Sequence, residues 1–196
     1  MKKAKTTYDI HPNLKKRWSP RAFSDKPVEP EKLQRLFEAA RWSPSASNIQ
    51  PWNFMLGQNN DQTYQKIFEC LIEFNQLWTK FAPVLVISIG QRKVDEKENS
   101  TFKYDVGQSI AHLTFQAMQE NLYVHQMTGF DPQKAAKLFD IPEDYEAISA
   151  LAIGYLGNPS ILDLRMQKPE KAERERKEMK EFIFENTFGQ PSDLIK

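Results

Sequence analysis

Residues 84–89 are the feature that most limits the folds open to this chain. The run is apolar, rich in β-branched side chains, and lacks polar and apolar alternation. This pattern is typical of a strand that is buried on both faces. Such a strand needs a further layer of structure on each side of its sheet. We therefore expect one domain in which helices cover a central sheet.

Further helical and strand patterns alternate along the 196 residues, and none of them forms a repeat or a linker. Period-two and short apolar runs predict strands over residues 52–56, 84–89, 122–127 and 147–155. Period-3.6 runs and capping residues predict helices over residues 30–42, 62–78, 105–119, 131–139 and 169–179. We expect residues 1–12 to be a flexible N-terminus and residues 182–196 to be a C-terminal arm, so that residues 1–196 form a single domain.

Composition excludes several classes of protein. Apolar residues make up 40% and charged residues 27% of the chain, which argues against disorder. A formal net charge of +1 gives no general field for nucleic acid or a membrane surface, so we expect neither partner. The single cysteine, Cys70, excludes an intrachain disulfide. Residues 1–12 carry no signal-peptide pattern and no run could span a bilayer, so we expect a cytoplasmic protein.

A polar loop between two tryptophans, Trp42 and Trp52, carries the strongest functional signal. Three serines, an asparagine and a glutamine lie there, stiffened by two prolines. Many side-chain donors in a stiff loop suit the polar edge of a flat heterocycle. For any single serine, a hydroxyl that caps nearby backbone groups is the better interpretation. For the whole set, binding of a cofactor with a polar ring system is the better one.

Arg17 and Arg21 lie upstream of this loop, with Ser19 between them. Guanidinium groups bind a phosphate monoester bidentately. At 4 Å and an effective dielectric constant near 20, one such pair gains roughly 4 kcal/mol before desolvation. A helical turn or tight bend would aim both arginines at one point. An ordinary solvated basic N-terminus explains the segment equally well.

Two later segments add candidate residues. Gly129 follows a predicted strand and permits a positive φ or a close backbone approach to a ligand. His125 is a possible acid or base, although a lone histidine on a strand is more often packed or placed behind the residues that touch a ligand. Arg174 and Arg176 lie in a charged segment that composition alone assigns to an ordinary helix.

Several catalytic motifs are excluded. Gly107 and Ser109 resemble part of a serine nucleophile elbow, but they fall inside a helical pattern. Cys70 has no neighbouring cation that would lower its pKa, so we expect a structural thiol. The chain has no GxGxxG, no Walker loop and no histidine–carboxylate metal spacing, and we expect no metal site.

The motifs together resemble the FMN-dependent nitroreductase family. The matching pieces are residues 17–23 (RWSPRAF), 38–54 (EAARWSPSASNIQPWNF), 125–131 (HQMTGFD) and 152–155 (AIGY). The resemblance extends from about residue 11 to about residue 189. It implies an α+β fold with a central, mostly antiparallel sheet flanked by helices, built as an intertwined homodimer. Two FMN sites at the interface would each use both subunits.

The resemblance also implies which residues hold FMN. The phosphate, the ribityl chain and the N1/O2 edge of the flavin would be held by Arg17, Trp18, Ser19 and Arg21. The partner subunit would contribute Pro44, Ser45, Ala46, Ser47 and Asn48, supported by Gln50. Asn75 would approach the pyrimidine edge, backbone N–H groups of Thr128 and Gly129 would face N5, and Arg174 and Arg176 would close on the phosphate. Trp78 stands where some members have lysine, which makes Arg21 the main cation.

The implied activity is an NAD(P)H oxidoreductase of nitroreductase or quinone-reductase type. Hydride would pass through flavin N5 in a ping-pong cycle, and no catalytic side chain is needed because the flavin carries the chemistry. The alternatives are a same-fold dehalogenase or biosynthetic dehydrogenase, a flavin storage or sensor protein, and a phosphate-binding module without flavin. Residues 91–101 vary within the family, so the acceptor stays open, as does the choice between NADH and NADPH.

The C-terminal arm has an apolar pattern of its own. Phe182 and Phe184 would share one face of a strand, with Ile183 on the other face. An unpaired strand that is apolar on both faces is a liability. We therefore expect the arm to add to the sheet of the partner subunit and to clasp the dimer.

Overall fold

The computed structural model describes residues 2–195, so Met1 and Lys196, at the ends of the two predicted terminal segments, lie outside it. The strands are β1 (Trp52–Gln58), β2 (Val84–Gln91), β3 (Lys93–Val94), β4 (Lys97–Glu98), β5 (Tyr123–Met127) and β6 (Tyr145–Gly154). The α-helices are α1 (Pro12–Lys16), α2 (Pro30–Arg41), α3 (Gln62–Cys70), α4 (Glu73–Thr79), α5 (Phe102–Gln119), α6 (Pro132–Leu138) and α7 (Leu164–Lys171). Short 3-10 turns occur at Ala46–Asn48, Pro159–Ile161 and Met179–Glu181.

The central sheet has the strand order β1-β2-β6-β5, and all of its pairings are antiparallel. Strand β2 is buried along almost its whole length. Leu85 and Ile87 contribute to one core cluster, and Val84 and Val86 contribute to a second cluster on the opposite face. The predicted strand with two buried faces is therefore confirmed, as is the α+β architecture with an antiparallel sheet.

Helices α2 and α5 cover one face of the sheet. Pro30 begins α2, and Leu33, Leu36 and Ala40 form its buried stripe. Helix α5 begins at Phe102, three residues before the predicted start. Its predicted inward residues, Val106, Ile110, Leu113 and Ala117, are all buried. The opposite face is covered by α3 and α6, and the predicted N-cap of α6, Asp131, accepts a hydrogen bond from the backbone N–H of Lys134 at 2.9 Å.

The prediction of a single helix over residues 62–78 is wrong. Leu71 and Ile72 are extended, and they separate α3 from α4. The chain has no proline or glycine there, but hydrogen bonds to a distant loop replace the helical ones. The backbone N–H of Ile72 donates to the Gly129 carbonyl at 3.1 Å, and that of Asp131 donates to the Cys70 carbonyl at 2.8 Å. Of the predicted apolar stripe, Phe74 is consequently 51% exposed.

The predicted helix over residues 169–179 is also wrong in its position. Helix α7 begins after Asp163, whose carboxylate accepts from the Arg165 N–H at 2.9 Å, and it ends at Lys171. The stretch after it is rich in charge and has no apolar stripe to bury. Its backbone is extended at Ala172, which leaves Arg174 free to reach α1.

The C-terminal arm does not form the predicted strand over residues 182–184. Phe182 follows a 3-10 turn, and the chain then folds back on itself. The returning segment is closed by a bridge between Phe184 and Pro191 and by the Ser192 N–H, which donates to the Ile183 carbonyl at 3.2 Å. The clasp onto a partner subunit remains a prediction.

Candidate functional site

Arg17 lies beside two arginines from the far end of the chain, Arg174 and Arg176, next to α1. Guanidinium N–H groups of Arg174 donate to the backbone carbonyls of Lys15, at 2.7 Å, and Arg17. Burial lowers the pKa of Arg17, and the charges of Arg174 and Arg176 lower it further. The pKa of Arg174 is lowered by burial and then by Arg176. An anion bound beside these arginines would offset the repulsion between their charges.

A cavity of about 610 Å³ opens next to the three arginines. The N-terminal segment and the residues after α7 line most of it, and they bring carboxylates as well as cations. Two of those carboxylates are already paired, Glu173 with Lys5 and Glu178 with Lys180, both at 2.6 Å. The third, Glu175, lies between Arg174 and Arg176 in sequence, so the lining carries both signs of charge beside the arginine cluster.

Several buried donors near the cluster lack a partner in the chain. The Nε1 of Trp18 and the Nε atoms of Arg21 and Arg174 have no hydrogen-bond partner among residues 2–195. A buried donor without a partner costs about 1–3 kcal/mol. Ser19 lies in the same segment and accepts from the Arg17 guanidinium at 3.3 Å. This donor set fits a ligand that is rich in acceptors, such as the phosphate and the polar ring edge expected for FMN.

Arg17 and Arg21 are not joined by the helical turn that was one of the two predicted arrangements. Helix α1 ends at Lys16 and Arg17 is extended, with φ −60° and ψ 128°, so the two arginines do not share a helical turn. Both positive charges nevertheless lower the pKa of His125. The Arg21 guanidinium carbon lies 5.9 Å from the centre of the Phe74 ring at the start of α4.

Gly129 lies in a tightly packed turn after β5. Its carbonyl accepts from the Ile72 N–H at 3.1 Å and from the Asn75 amide at 2.9 Å. A Cβ at this position would lie 2.6 Å from Asn75 Nδ2 and 2.8 Å from Ile72 Cδ1. A side chain at this position would therefore displace Asn75 or Ile72. Asn75 is buried, and its other amide atom accepts from Trp78 Nε1 at 3.3 Å, so the structure brings Asn75, Thr128 and Gly129 together.

The serine loop is strained and lies against α5. Ser47, Asn48 and Gln50 have positive φ values of 51°, 56° and 54°, which cost of order 1 kcal/mol each outside glycine. Ser45 Oγ accepts from the Gln50 N–H at 3.0 Å, so this serine does cap its own loop. Pro44, Ala46, Ser47 and Asn48 are exposed. The loop's hydrogen bonds run to α5 and within itself rather than to the arginine cluster, an arrangement that suits use by a second subunit.

Two buried carboxylates that support the site have no clear local signal in the sequence. Glu170 is 3% exposed and accepts from the backbone N–H groups of Arg21 and Ala22. Only its i, i+4 spacing from the apolar Met166 could have indicated an inward face. Asp105 is 1% exposed and accepts from the Ala46 N–H at 3.3 Å, which anchors the serine loop to α5.

The other reactive side chains have structural roles. His125 packs against Trp78, with ring centroids 4.4 Å apart, and burial lowers its pKa to about 4. Ser109 donates from within α5 to the Ala40 carbonyl at 3.2 Å. Burial raises the pKa of Cys70. The packed histidine, the helical serine and the structural thiol are thus confirmed. Within residues 2–195 no three His, Cys, Asp or Glu side chains are grouped to hold a metal, and no helix has the length and apolar character to cross a membrane.

Comparison with known proteins agrees with this geometry. The model of the nitroreductase family matches residues 14–77, which include Arg17, the serine loop and Asn75. The crystal structure of an oxidoreductase containing FMN is 31% identical, covers 95% of this chain and 96% of its own, and superposes with a TM-score of 0.89. This chain belongs to the nitroreductase family. The FMN-containing structure matches 95% of this chain, so the two proteins share a fold well beyond residues 14–77, which the family model covers.

Two further relatives support the assignment. A protein of Streptomyces coelicolor, provisionally named NADH dehydrogenase/NAD(P)H nitroreductase, is 26% identical over 72% of this chain and 80% of its own. The crystal structure of a nitroreductase family protein from Clostridium difficile 630 is 23% identical, covers 89% of this chain and 96% of its own, and gives a TM-score of 0.70. The latter likeness concerns the fold alone.

Proposed function

We propose that this nitroreductase-family protein is an FMN-dependent NAD(P)H oxidoreductase of nitroreductase or quinone-reductase type. The observation that carries the proposal is the convergence of Arg17, Arg174 and Arg176 beside buried donors without partners. A relative that contains FMN and another that carries an NAD(P)H nitroreductase name support it.

The chain's residues divide the binding task between them. Arg17, Ser19, Arg174 and Arg176 would hold the phosphate, because guanidinium groups match phosphate oxygens in charge and geometry. Trp18 and Arg21 would supply donors to the ribityl chain and the ring edge. Asn75 fixes the Gly129 carbonyl at 2.9 Å and thereby orients the turn whose N–H groups would face the ring. The loop over residues 44–50 would complete the pocket of the second subunit in a homodimer.

FMN, when bound, supplies hydride transfer from NAD(P)H to a small-molecule acceptor such as a nitroaromatic or a quinone, in a ping-pong cycle. The protein supplies placement and charge. The Arg21 guanidinium would stabilise the negative charge that reduction places on the ring edge. A fixed N–H from the Gly129 turn would hold the ring in register. His125 is neutral near pH 7, since its pKa is about 4.

Ligand binding tests the phosphate part of the proposal. Titration of the apoprotein with FMN and with riboflavin, followed by flavin fluorescence, separates the contribution of the phosphate. Arg174→Ala should weaken FMN binding roughly 10- to 100-fold, because a charged hydrogen bond contributes about 1.5–3 kcal/mol. Riboflavin binding should change far less.

Arg165→Ala is the matched control, because Arg165 is exposed and pairs with Asp163 on α7. It should bind FMN like the wild type. Equal FMN affinities for Arg174→Ala and Arg165→Ala would contradict the assigned phosphate site. Failure of the wild type to bind FMN would contradict the proposed function.

A further inference from the structure

The peptide group between Pro20 and Arg21 is held at both ends by buried side chains. The Pro20 carbonyl accepts from His125 Nδ1 at 2.8 Å. The Arg21 N–H donates to Glu170 Oε1 at 2.8 Å, and the next N–H, that of Ala22, donates to the same oxygen at 3.0 Å. The two anchors come from β5 and α7, which are remote from this segment in sequence.

Both anchors are themselves firmly placed. His125 lies in β5, opposite Ala152 of β6, and its ring packs on the fully buried Trp78. Because a carbonyl can only accept, Nδ1 of His125 must carry the proton. Glu170 occupies the last turn of α7 and is 3% exposed. Its Oε1 accepts both backbone N–H groups, while its Oε2 is buried without a partner among residues 2–195. The carboxylate and the imidazole thus hold the peptide from buried positions on two separate elements.

The hydrogen bonds to the Pro20–Arg21 peptide influence the direction of the Arg21 side chain. Fixed peptide planes on both sides of Arg21 determine where its Cα–Cβ bond points. Its guanidinium then lies over Phe74, and its buried Nε has no partner among residues 2–195. The Ala22 carbonyl is held too, by the Gly157 N–H at 2.8 Å. A long, flexible cation is thus carried on a backbone segment that these hydrogen bonds hold in place.

We propose that His125 and Glu170 are positioning residues that clamp the Pro20–Arg21 peptide and thereby aim the Arg21 guanidinium at the flavin ring. The inference rests on the proposed function, since it assigns Arg21 to bound FMN. It gives Glu170 and His125 a role that works through Arg21, and neither side chain needs to touch the cofactor.

Paired substitutions separate this role from simple packing. Glu170→Met removes the acceptor, whereas Glu170→Gln keeps one. His125→Leu removes the donor, whereas His125→Asn keeps an N–H close to the position of Nδ1. The readouts are the FMN dissociation constant, the midpoint potential of bound FMN and the unfolding midpoint of each holoprotein.

The clamp predicts that Arg21→Ala, Glu170→Met and His125→Leu all disfavour reduced FMN relative to oxidised FMN. The expected change is about tenfold, or about 30 mV for a two-electron couple. Glu170→Gln and His125→Asn should restore most of the potential. In an Arg21→Ala background, Glu170→Met should shift the potential no further, because its effect passes through Arg21.

The outcomes distinguish this inference from the proposed function. A wild type that binds no FMN would overturn both. The clamp alone would be overturned by a different result, in which the wild type binds FMN and the two variants Glu170→Met and His125→Leu change the ratio of reduced to oxidised FMN by less than twofold. An undiminished Glu170→Met shift in the Arg21→Ala background would also overturn it. If Glu170→Met does not fold, His125→Leu and His125→Asn test the clamp instead, because they change the hydrogen bond to the Pro20 carbonyl at the other end of the peptide.

Discussion

At the scale of single residues, the site depends on close contacts between groups far apart in sequence. Gly129 is the clearest case, because Asn75 and Ile72 occupy the space where its side chain would be. The sequence allowed either a positive φ at Gly129 or a close approach of its backbone to a ligand. In the structure, the neighbouring groups belong to the chain's own α3–α4 junction, which no local sequence pattern indicates.

Gly129→Ala tests that contact. The added methyl group should lower the free energy of unfolding by about 1–3 kcal/mol, since either Asn75 or the turn must move. Gly107→Ala is the matched control, because a methyl group added there would meet no atom within 4 Å, and Gly107 lies on the exposed side of α5. Alanine there should stabilise the helix by up to about 1 kcal/mol. Urea unfolding that gave the same sign for both substitutions would contradict the packing described.

The buried side chain of His125 should make the folded protein less stable in acid. Its pKa is about 4 in the folded protein against 6.5 in the unfolded chain, because it is buried near Arg21 and Arg17. The unfolded state therefore binds the proton first as the pH falls from 6.5 to 4, and stability is lost over that interval. The loss attributable to this residue is about 3 kcal/mol.

The difference in unfolding free energy between wild type and His125→Asn, measured from pH 7.5 to 4, isolates this contribution. The wild type should lose stability relative to the variant below pH 6.5, because asparagine does not titrate. Parallel curves for the two proteins would show that His125 is not held neutral by its environment.

At the scale of elements, sequence patterns predicted the elements wherever local preferences and core burial agree. Helix α5 and strand β2 were predicted because their apolar residues face a core along their whole length. The α3–α4 break was missed, because it is made by hydrogen bonds to residues 129–131. Helix α7 was misplaced, because the proline at residue 169 suits a helix start but here lies near the helix end.

The attachment of the serine loop to α5 is the element contact with the most direct functional consequence. Asp105→Ala removes the acceptor for the Ala46 N–H and for Thr101 Oγ1, at 3.3 and 3.1 Å. Amide hydrogen exchange at residues 46–50 should become faster, and FMN binding should weaken. Thermal stability should fall by the equivalent of about 1–3 kcal/mol.

Asp61→Ala is the matched control for that substitution, because Asp61 caps α3 through the Tyr64 N–H at 2.6 Å. It should cost comparable stability, about 1 kcal/mol, without altering exchange in the serine loop. Faster loop exchange in both variants would mean that Asp105 acts only through global stability.

At the scale of the whole molecule, the single chain leaves apolar side chains uncovered. Phe188 and Leu194 are 93% and 86% exposed, and Phe182 is 56% exposed. Large apolar side chains grouped on a surface mark an interaction site. Together with a serine loop whose hydrogen bonds run to α5 and within itself, they fit a dimer in which each site draws on both subunits. No local sequence signal could fix that pairing.

Truncation after Lys180 tests the clasp. The shortened chain keeps Arg174 and Arg176 but loses Phe182, Phe188 and Leu194. Light scattering should show a lower fraction of dimer, and flavin content should fall with it, because the site needs both subunits. A truncated protein that stayed a flavin-loaded dimer would contradict the clasp.

The activity proposed for this protein is hydride transfer from NAD(P)H through bound FMN to an acceptor. The direct measurement is an anaerobic titration of the flavin-loaded protein with NADH and with NADPH, followed by its visible absorbance. The flavin band should bleach with at least one nucleotide and return when a nitroaromatic or a quinone is added. A flavin-loaded protein that bleached with neither nucleotide would contradict the claim and would indicate storage or sensing of flavin instead.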